Sequence, residues 1–419
     1  MMKIFKFGGA SIKDSQALNN IVETILSKEK DLWIVVSAIG KTTNSLEKLL
    51  NSWYNYESDK YINLEAVINF HKQYIKESFK ENSENVEKLI EPIYISLEKL
   101  ISQKPEKDYD ILYDELVSYG ELMSSLIFSE YLKIKGINNT LLDARELIIT
   151  DSNHRDAKVS WLESQNKIEK IDKKSGEIFV TQGFIGADVN NITTTLGREG
   201  SDYTASALAY LLNAESVTIW KDVPGIMNAD PSYFDFAEKL KELSYNEAIE
   251  LAFYGAKVIH PKTIKPIENK NIPLYVKSFV NPENEGTVIK KLNYKLNLIP
   301  VFILKQNQIL ISISPKDFSF IVEENMSKIF GLFAKYKTKL NISQNTAVSF
   351  SASIDDNNRN LKKLIKELQE DFFVKYNSGL ELITIRYYTE ESIDKMLKAR
   401  KILMEQRSRK TARFLVKMF

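Results

Sequence analysis

Cysteine is absent from all 419 residues, which excludes disulfides, thiolate nucleophiles and Cys-ligated zinc or iron–sulfur centres. Histidine is nearly as scarce. His71, His154 and His260 are the whole supply, too few for a histidine metal cluster, and redox work is not expected. Glycine (15) and proline (10) stay far below low-complexity levels, and an aromatic share of 11% gives large side chains to bury, so disorder is set aside. Neither sign of charge dominates: Lys+Arg 57 against Asp+Glu 56 leaves a net charge of +1, so no whole-molecule field draws the chain to nucleic acid or an anionic membrane. Any charge chemistry has to be local. No stretch reaches the roughly 18 consecutive apolar residues of a membrane span. The N-terminal MMKIFKFGG lacks the apolar core of a signal peptide, and the cytoplasm is the expected address.

What is present suits two to three globular units, because 419 residues at 43% hydrophobic exceed one compact core. Residues 3–7 (KIFKF) form a short β-prone run closed by Gly8-Gly9, after which Ala17, Leu18, Ile21, Val22, Ile25 and Leu26 recur at helical spacing. LWIVVS at 32–37 is again continuous and apolar. Strand, helix, buried strand is the rhythm of an α/β domain, a parallel sheet sandwiched by helices. Residues 57–135 read as mostly helical, strand-like 177–183 and 216–222 bracket a helical 202–213, and helices 244–254 and 262–269 precede a strand at 273–277.

At 281–286 (NPENEG) the composition turns polar, which marks a boundary between a domain over 1–284 and a region over 285–419. In the second region, strand 308–313, helix 325–337, strands 340–343 and 347–354, helix 359–369 and strand 372–375 make one βαββαβ series. Strand 381–387, helix 390–405 and strand 412–416 begin to repeat it. Two small α+β modules, about 300–375 and 376–419 and in tandem or interleaved, fit this pattern. Nine Lys/Arg against two acids over 394–419 form a basic cluster, which a solvated helix face and following strand explain better than RNA or membrane contact.

No Walker A loop is present: Gly40-Lys41-Thr42 fails because Val35 stands where the first glycine belongs, and GxGxxG is missing. Two other glycine clusters remain, Lys6-Phe7-Gly8-Gly9-Ala10-Ser11 and Gly197-Arg198-Glu199-Gly200-Ser201-Asp202. Each ends a β-like segment and opens a helix, where N–H groups and the positive end of the helix dipole favour phosphate and glycine lets the backbone approach. Alone, either pair reads as an ordinary strand-to-helix turn. Lys6 changes the balance. It stands within a strand, two residues before Gly8, and a buried lysine is costly unless an anion meets it; the alternative is an outward-facing strand residue.

KFGGAS at 6–11, VVSAIGKTTN at 35–44, SYGELMS at 118–124, TTTLGREGSDYTA at 193–205, WKDVPGIMNADP at 220–231 and FYGAKVIHPKT at 253–263 resemble, in order and spacing, the signatures of aspartate kinase. The tail resembles that family's paired ACT modules. The resemblance implies an amino acid kinase fold and transfer of the γ-phosphoryl group of ATP, with Mg²⁺, to the side-chain carboxylate of L-aspartate. A carboxylate with a pKa near ~3.9 needs no base, so the shortage of histidine is no objection. The obstacle is an anion attacking an anion, met by positioning and neutralisation.

Carried over residue by residue, the resemblance gives Lys6 the charge on the transferring phosphate and Asp202 the task of holding lysines and the metal–phosphate arrangement. A helix N-cap is the plainer role for Ser201 or Asp202. Glu121 is implied to meet the substrate ammonium and Arg198 its α-carboxylate, with Ser37, Thr43 and Ser201 lining the same pocket. Lys6, Phe7, Gly8, Gly9, Lys221, Asp222, Met227, Lys257 and Val258 are implied on the ATP side, while His260 reads as structural. Ala10, Met227 and Ser232 depart from the family pattern of threonine, an aromatic and arginine, which bears on ATP contacts. The ACT resemblance further implies a homodimer and an effector amino acid, lysine or threonine, near 325–331 and 343–348. Nothing follows the second module, so an appended homoserine dehydrogenase domain is not expected. Another phosphotransferase of the same fold should lack the GELMS element and the paired tail. A non-catalytic amino-acid sensor should not keep Lys6, Glu121, Arg198 and Asp202 together.

Overall fold

The computed structural model describes residues 2–418 apart from 174, 257, 258, 295, 297, 298, 318 and 357–359. The apolar runs become the middle of a parallel sheet, with Lys3–Phe7 between Leu32–Val36 and Ser216–Lys221. Among the described residues eight strands share this sheet, in the spatial order Thr140–Leu142, Ile178–Gln182, Leu32–Val36, Lys3–Phe7, Ser216–Lys221, Leu274–Ser278, Thr287–Ile289 and Glu242–Leu243. Every pairing is parallel except that of Leu274–Ser278 with Thr287–Ile289.

Alternation along Lys3–Phe7 sends its residues to two helix layers. Phe5 and Phe7 enter a core built with the helices Ser15–Thr24, Thr42–Tyr54, Lys60–Phe79, Ser83–Ser102 and Tyr109–Ile134. Ile4 and Lys6 take the opposite face, where Gly200–Leu212 packs. Lys6 is therefore 9% exposed rather than turned to solvent. The turn after this strand is tight: Gly40 N–H donates to Gly9 O at 3.0 Å, and a Cβ on Gly9 would sit 2.4 Å from Ala38 O. Only glycine lets the 8–11 and 37–43 turns lie against each other at the carboxyl edge of the sheet.

Contacts divide the chain into two units with several crossings, 1–226, 239–249 and 258–294 in the first and 227–238, 250–257 and 295–419 in the second. This differs from a single boundary after 284. Thr287–Ile289 pairs with both Leu274–Ser278 and Glu242–Leu243, which keeps the chain in the first sheet beyond the polar NPENEG turn. Three-residue strands carry too little pattern to be seen in the sequence.

In the second unit six antiparallel strands, counted among the described residues, run in the order Leu340–Asn345, Phe350–Asp355, Val301–Pro315, Phe372–Arg386, Thr411–Met418 and Arg400–Arg407. The two 15-residue strands serve both modules: 308–315 pairs with 372–380, and 301–305 pairs with 382–386. The helix expected over 390–405 stops at Leu397. Ala399 takes φ 61°, and Arg400–Arg407 pairs with Thr411–Met418 as an edge strand. Its residues KILMEQR favour a helix locally, and the ladder offered by the neighbouring strand overrides that preference. The basic cluster is thus spread over a helix and two strands, where Arg400 meets Glu381 at 3.3 Å, Arg407 meets Glu390 at 3.1 Å and Arg413 is buried.

Candidate active site

Four parallel strands, Lys3–Phe7, Leu32–Val36, Ile178–Gln182 and Ser216–Lys221, end at one edge of the first sheet, the usual place for a ligand in such folds. A cleft of about 550 Å³ opens there, and it gathers Lys6, Ser37, Thr43, Glu121, Arg198, Ser201, Asp202 and Lys221. The Lys6 ammonium lies 2.8 Å from Asp202 Oδ1, and Lys221 Nζ lies 3.7 Å from Asp202 Oδ2. Burial works against ionisation of Asp202, which is 3% exposed, but the two ammonium groups outweigh it and hold the carboxyl below its ordinary range. Of the first glycine cluster only Lys6 lines this hollow, where a buried ion pair ties it to the second cluster.

Asp202 does not cap its helix. The N-cap of Gly200–Leu212 is Glu199, in the left-handed region at φ 54° with no side-chain cap bond, and this frees Asp202 to face Lys6. Glu199 instead accepts from His260 N–H at 2.9 Å. His260 in turn caps Pro261–Asn269 by accepting from Lys262 N–H at 3.2 Å, a structural task. Gly183 brings the end of Ile178–Gln182 against Ser201, since a Cβ there would lie 2.4 Å from Ser201 Cβ.

Across the cleft, Glu121 projects from the middle of Tyr109–Ile134 and is 2% exposed. One carboxyl oxygen accepts from Ala38 N–H at a long 3.4 Å, while Oε2 has no hydrogen-bond partner among the described residues. Ser124, one turn on, donates to Ser37 O at 2.6 Å and fixes the turn that carries Ser37 and Thr43. Burial pushes the Glu121 carboxyl up to about 8, with the Ala38 N–H only partly offsetting it. A buried acid with an unmet oxygen suits an incoming ammonium. Arg198 stands exposed in the facing turn and offers a planar fork to a carboxylate.

The remaining expected residues are placed differently. The Phe7 side chain is wholly buried, stacked on Trp220 at 6.2 Å and 8° and on Phe128 at 5.9 Å, so only its backbone is near the edge. Gly8 leaves room for the Lys6 ammonium, which a Cβ would approach to 3.2 Å, and Gly9 serves the close turn described above. Asp222 is exposed and outside the cleft lining, and Met227 falls in the second unit. Lys257 and Val258 lie outside the described residues. Tyr113, Arg155, Phe184 and Glu199 also line the cleft and escaped the sequence reading. Tyr113 sits eight residues before Glu121, a helical spacing that would have found it; Arg155 lies in a loop with no such signal.

Such a fold and such a cleft, with cations and a glycine turn facing a buried acid at the carboxyl edge of a parallel sheet, define a small-molecule kinase. Residues 1–278 match the model of the amino acid kinase family. The chain is 30% identical over 398 residues to lysine-sensitive aspartokinase 3 of Escherichia coli, covering 91% of this chain and 86% of that protein. Two crystal structures of E. coli aspartokinase III, one with lysine and aspartate and one with aspartate and ADP, each superpose at a TM-score of 0.81 and 28% identity over 99% of this chain and 96% of theirs. The chain belongs to the amino acid kinase family and, within it, to the aspartokinases.

Glu121 gives a test independent of turnover. Unfolded, its carboxyl ionises near the ordinary 4.5, whereas folded it keeps its proton to about 8. Unfolding therefore releases a proton between these values, and this group's share of stability falls as pH rises through them, by about 1.4 kcal/mol per unit. Glu121→Gln keeps the shape without the titration. Thermal melts of the substrate-free protein should show wild type losing stability relative to Glu121→Gln from pH 5 to 8; parallel profiles would reject the assignment.

Proposed function

We infer that the chain transfers the γ-phosphoryl group of ATP to the side-chain carboxylate of L-aspartate, giving 4-phospho-L-aspartate and ADP. The observation that carries this reading is the placement of a buried Lys6–Asp202 pair and a buried, half-unpaired Glu121 in one cleft. A carboxylate oxygen of aspartate attacks the γ-phosphorus while the bond from that phosphorus to the β–γ bridging oxygen breaks, and the transfer itself moves no proton. Lys6 and Lys221 draw the phosphate oxygens in and lower the repulsion between the two anions. Glu121 releases its proton to solvent as the substrate ammonium arrives, Arg198 takes the α-carboxylate, and Ser37, Thr43 and Ser201 line the remaining walls.

Mg²⁺ fits this donor set as an ion that comes with the nucleotide. Among the described residues no group of three acidic or histidine side chains could cage a metal, and Mg²⁺ is ordinarily held by one or two carboxylates together with substrate phosphates. Asp202 is the carboxylate in place for it. When bound, the ion neutralises charge on the phosphate oxygens.

The second unit, with two modules built on shared strands, is read as the regulatory half. A homodimer formed through these sheets and an effector amino acid near 325–331 and 343–348 belong to the same proposal. Lysine, bound in one of the E. coli aspartokinase III structures, is the first effector to try. No described helix is long and apolar enough to cross a membrane, and a cytoplasmic setting is part of this reading.

Incubation with ATP and hydroxylamine should yield hydroxamate with aspartate, and none with glutamate or without acceptor; product from glutamate alone would move the chain to another acceptor. Lys6→Ala should lower kcat by roughly 10²- to 10³-fold, because one preorganised donor to developing charge is lost while Lys221 still faces Asp202. Near-normal turnover would remove Lys6 from the mechanism. Arg198→Lys should raise KM for aspartate about tenfold or more, since one ammonium cannot reproduce two parallel bonds.

A further inference from the structure

Asp114 has no solvent exposure and lies seven residues before Glu121 on the same helix face, yet no step above uses it. Its carboxylate draws partners from two other segments. Thr195 Oγ1 donates to Oδ1 at 2.5 Å, the Arg155 backbone N–H reaches both oxygens at 3.2 and 3.1 Å, and His154 Nδ1 lies 2.8 Å from Oδ2. A fold in need of a filler would have used an apolar side chain here, since a buried charge is costly and losing it leaves several donors unmet.

What the hub holds is one wall of the cleft. Thr195 stands three residues before Arg198 and two before Gly197. Gly197, at φ 75°, is pressed against the His154–Asp156 loop, where a Cβ would approach Arg155 O to 3.0 Å. Lys262 Nζ bridges the same two segments, donating to Asp156 Oδ1 at 2.7 Å and Leu196 O at 2.9 Å. The Arg155 guanidinium lies 4.4 Å over the Tyr113 ring and 2.9 Å from Asp110, laid along the helix that carries Glu121, and both Arg155 and Tyr113 line the cleft.

We propose that Asp114 is a positioning residue for the amino-acid half of the site, clamping the Arg155 loop and the strand leading to Arg198 onto the helix of Glu121. Two guanidinium groups then meet a dicarboxylate substrate from a fixed wall, while the nucleotide half, built around Lys6 and Lys221, is left untouched. This deepens the aspartate kinase reading and rests on it.

The test uses the full-length chain, with KM for aspartate, KM for ATP, kcat and a thermal melt for each variant. Asp114→Asn turns one acceptor into a donor facing donors, and should raise KM for aspartate roughly ten- to hundredfold with KM for ATP held within about twofold. Thr195→Val removes a single donor at constant shape and should shift the same parameter less, whereas Thr195→Ser keeps the hydroxyl and should restore it. A folded Asp114→Asn with unchanged KM for aspartate overturns the proposal, as does an equal rise in both KM values or a Thr195→Ser as impaired as Thr195→Val. If Asp114→Asn fails to fold, the two Thr195 variants decide alone. A wild type that forms no acyl phosphate with aspartate is a separate result, and it strikes the kinase reading itself.

Discussion

The contact on which the site depends is the ion pair between Lys6, in a central strand, and Asp202, in the first turn of a helix on the facing layer. Taking both charges out of water costs several kcal/mol per ion, and well-packed apolar residues in the same volume would commonly serve the fold as well or better. The pair is therefore poorly explained as a stabilising device. It is well explained as a way to keep an ammonium oriented and nearly dry at the carboxyl edge of a sheet before any phosphate arrives. The neighbouring geometry follows from it: Gly8 leaves the ammonium its space, and the left-handed Glu199 starts the helix early enough that Asp202 points inward instead of capping.

The same cleft holds a second buried carboxylate under the opposite regime. Asp202 has two ammonium neighbours and ionises readily, whereas Glu121 has one long N–H contact and retains its proton into the neutral range. Equal chemistry is thus divided by environment into a group already satisfied and a group that awaits a partner. The split suits a reaction in which both reactants are anionic.

Much of this was legible in the sequence because the relevant signals are local and contradict their surroundings. A lysine inside KIFKF has to find an anion or leave the core, and glycine pairs at strand ends require close backbone approach. The long helices and the central strands also announced themselves by period. What stayed hidden depends on partners remote in sequence. Arg400–Arg407 is helix-prone by composition and becomes a strand because Thr411–Met418 offers a ladder. Asp114 and Arg155 acquire meaning only when folding brings the Arg155 N–H and the Thr195 hydroxyl onto one carboxylate. Phe7 reads as part of a phosphate turn, yet alternation commits its ring to the Trp220 and Phe128 stack.

The division of the chain adds a constraint that a single linker would not impose. Segments 227–238 and 250–257 leave the first unit, fold with the second and return, so the backbone passes between units at five points. Within the second unit these excursions are anchored: Asn228 bonds Pro300 O and Phe302 N–H, and Glu250 and Tyr254 pack on Arg386 at 3.0 and 5.8 Å. Each excursion is thus committed to the second unit by contacts of its own.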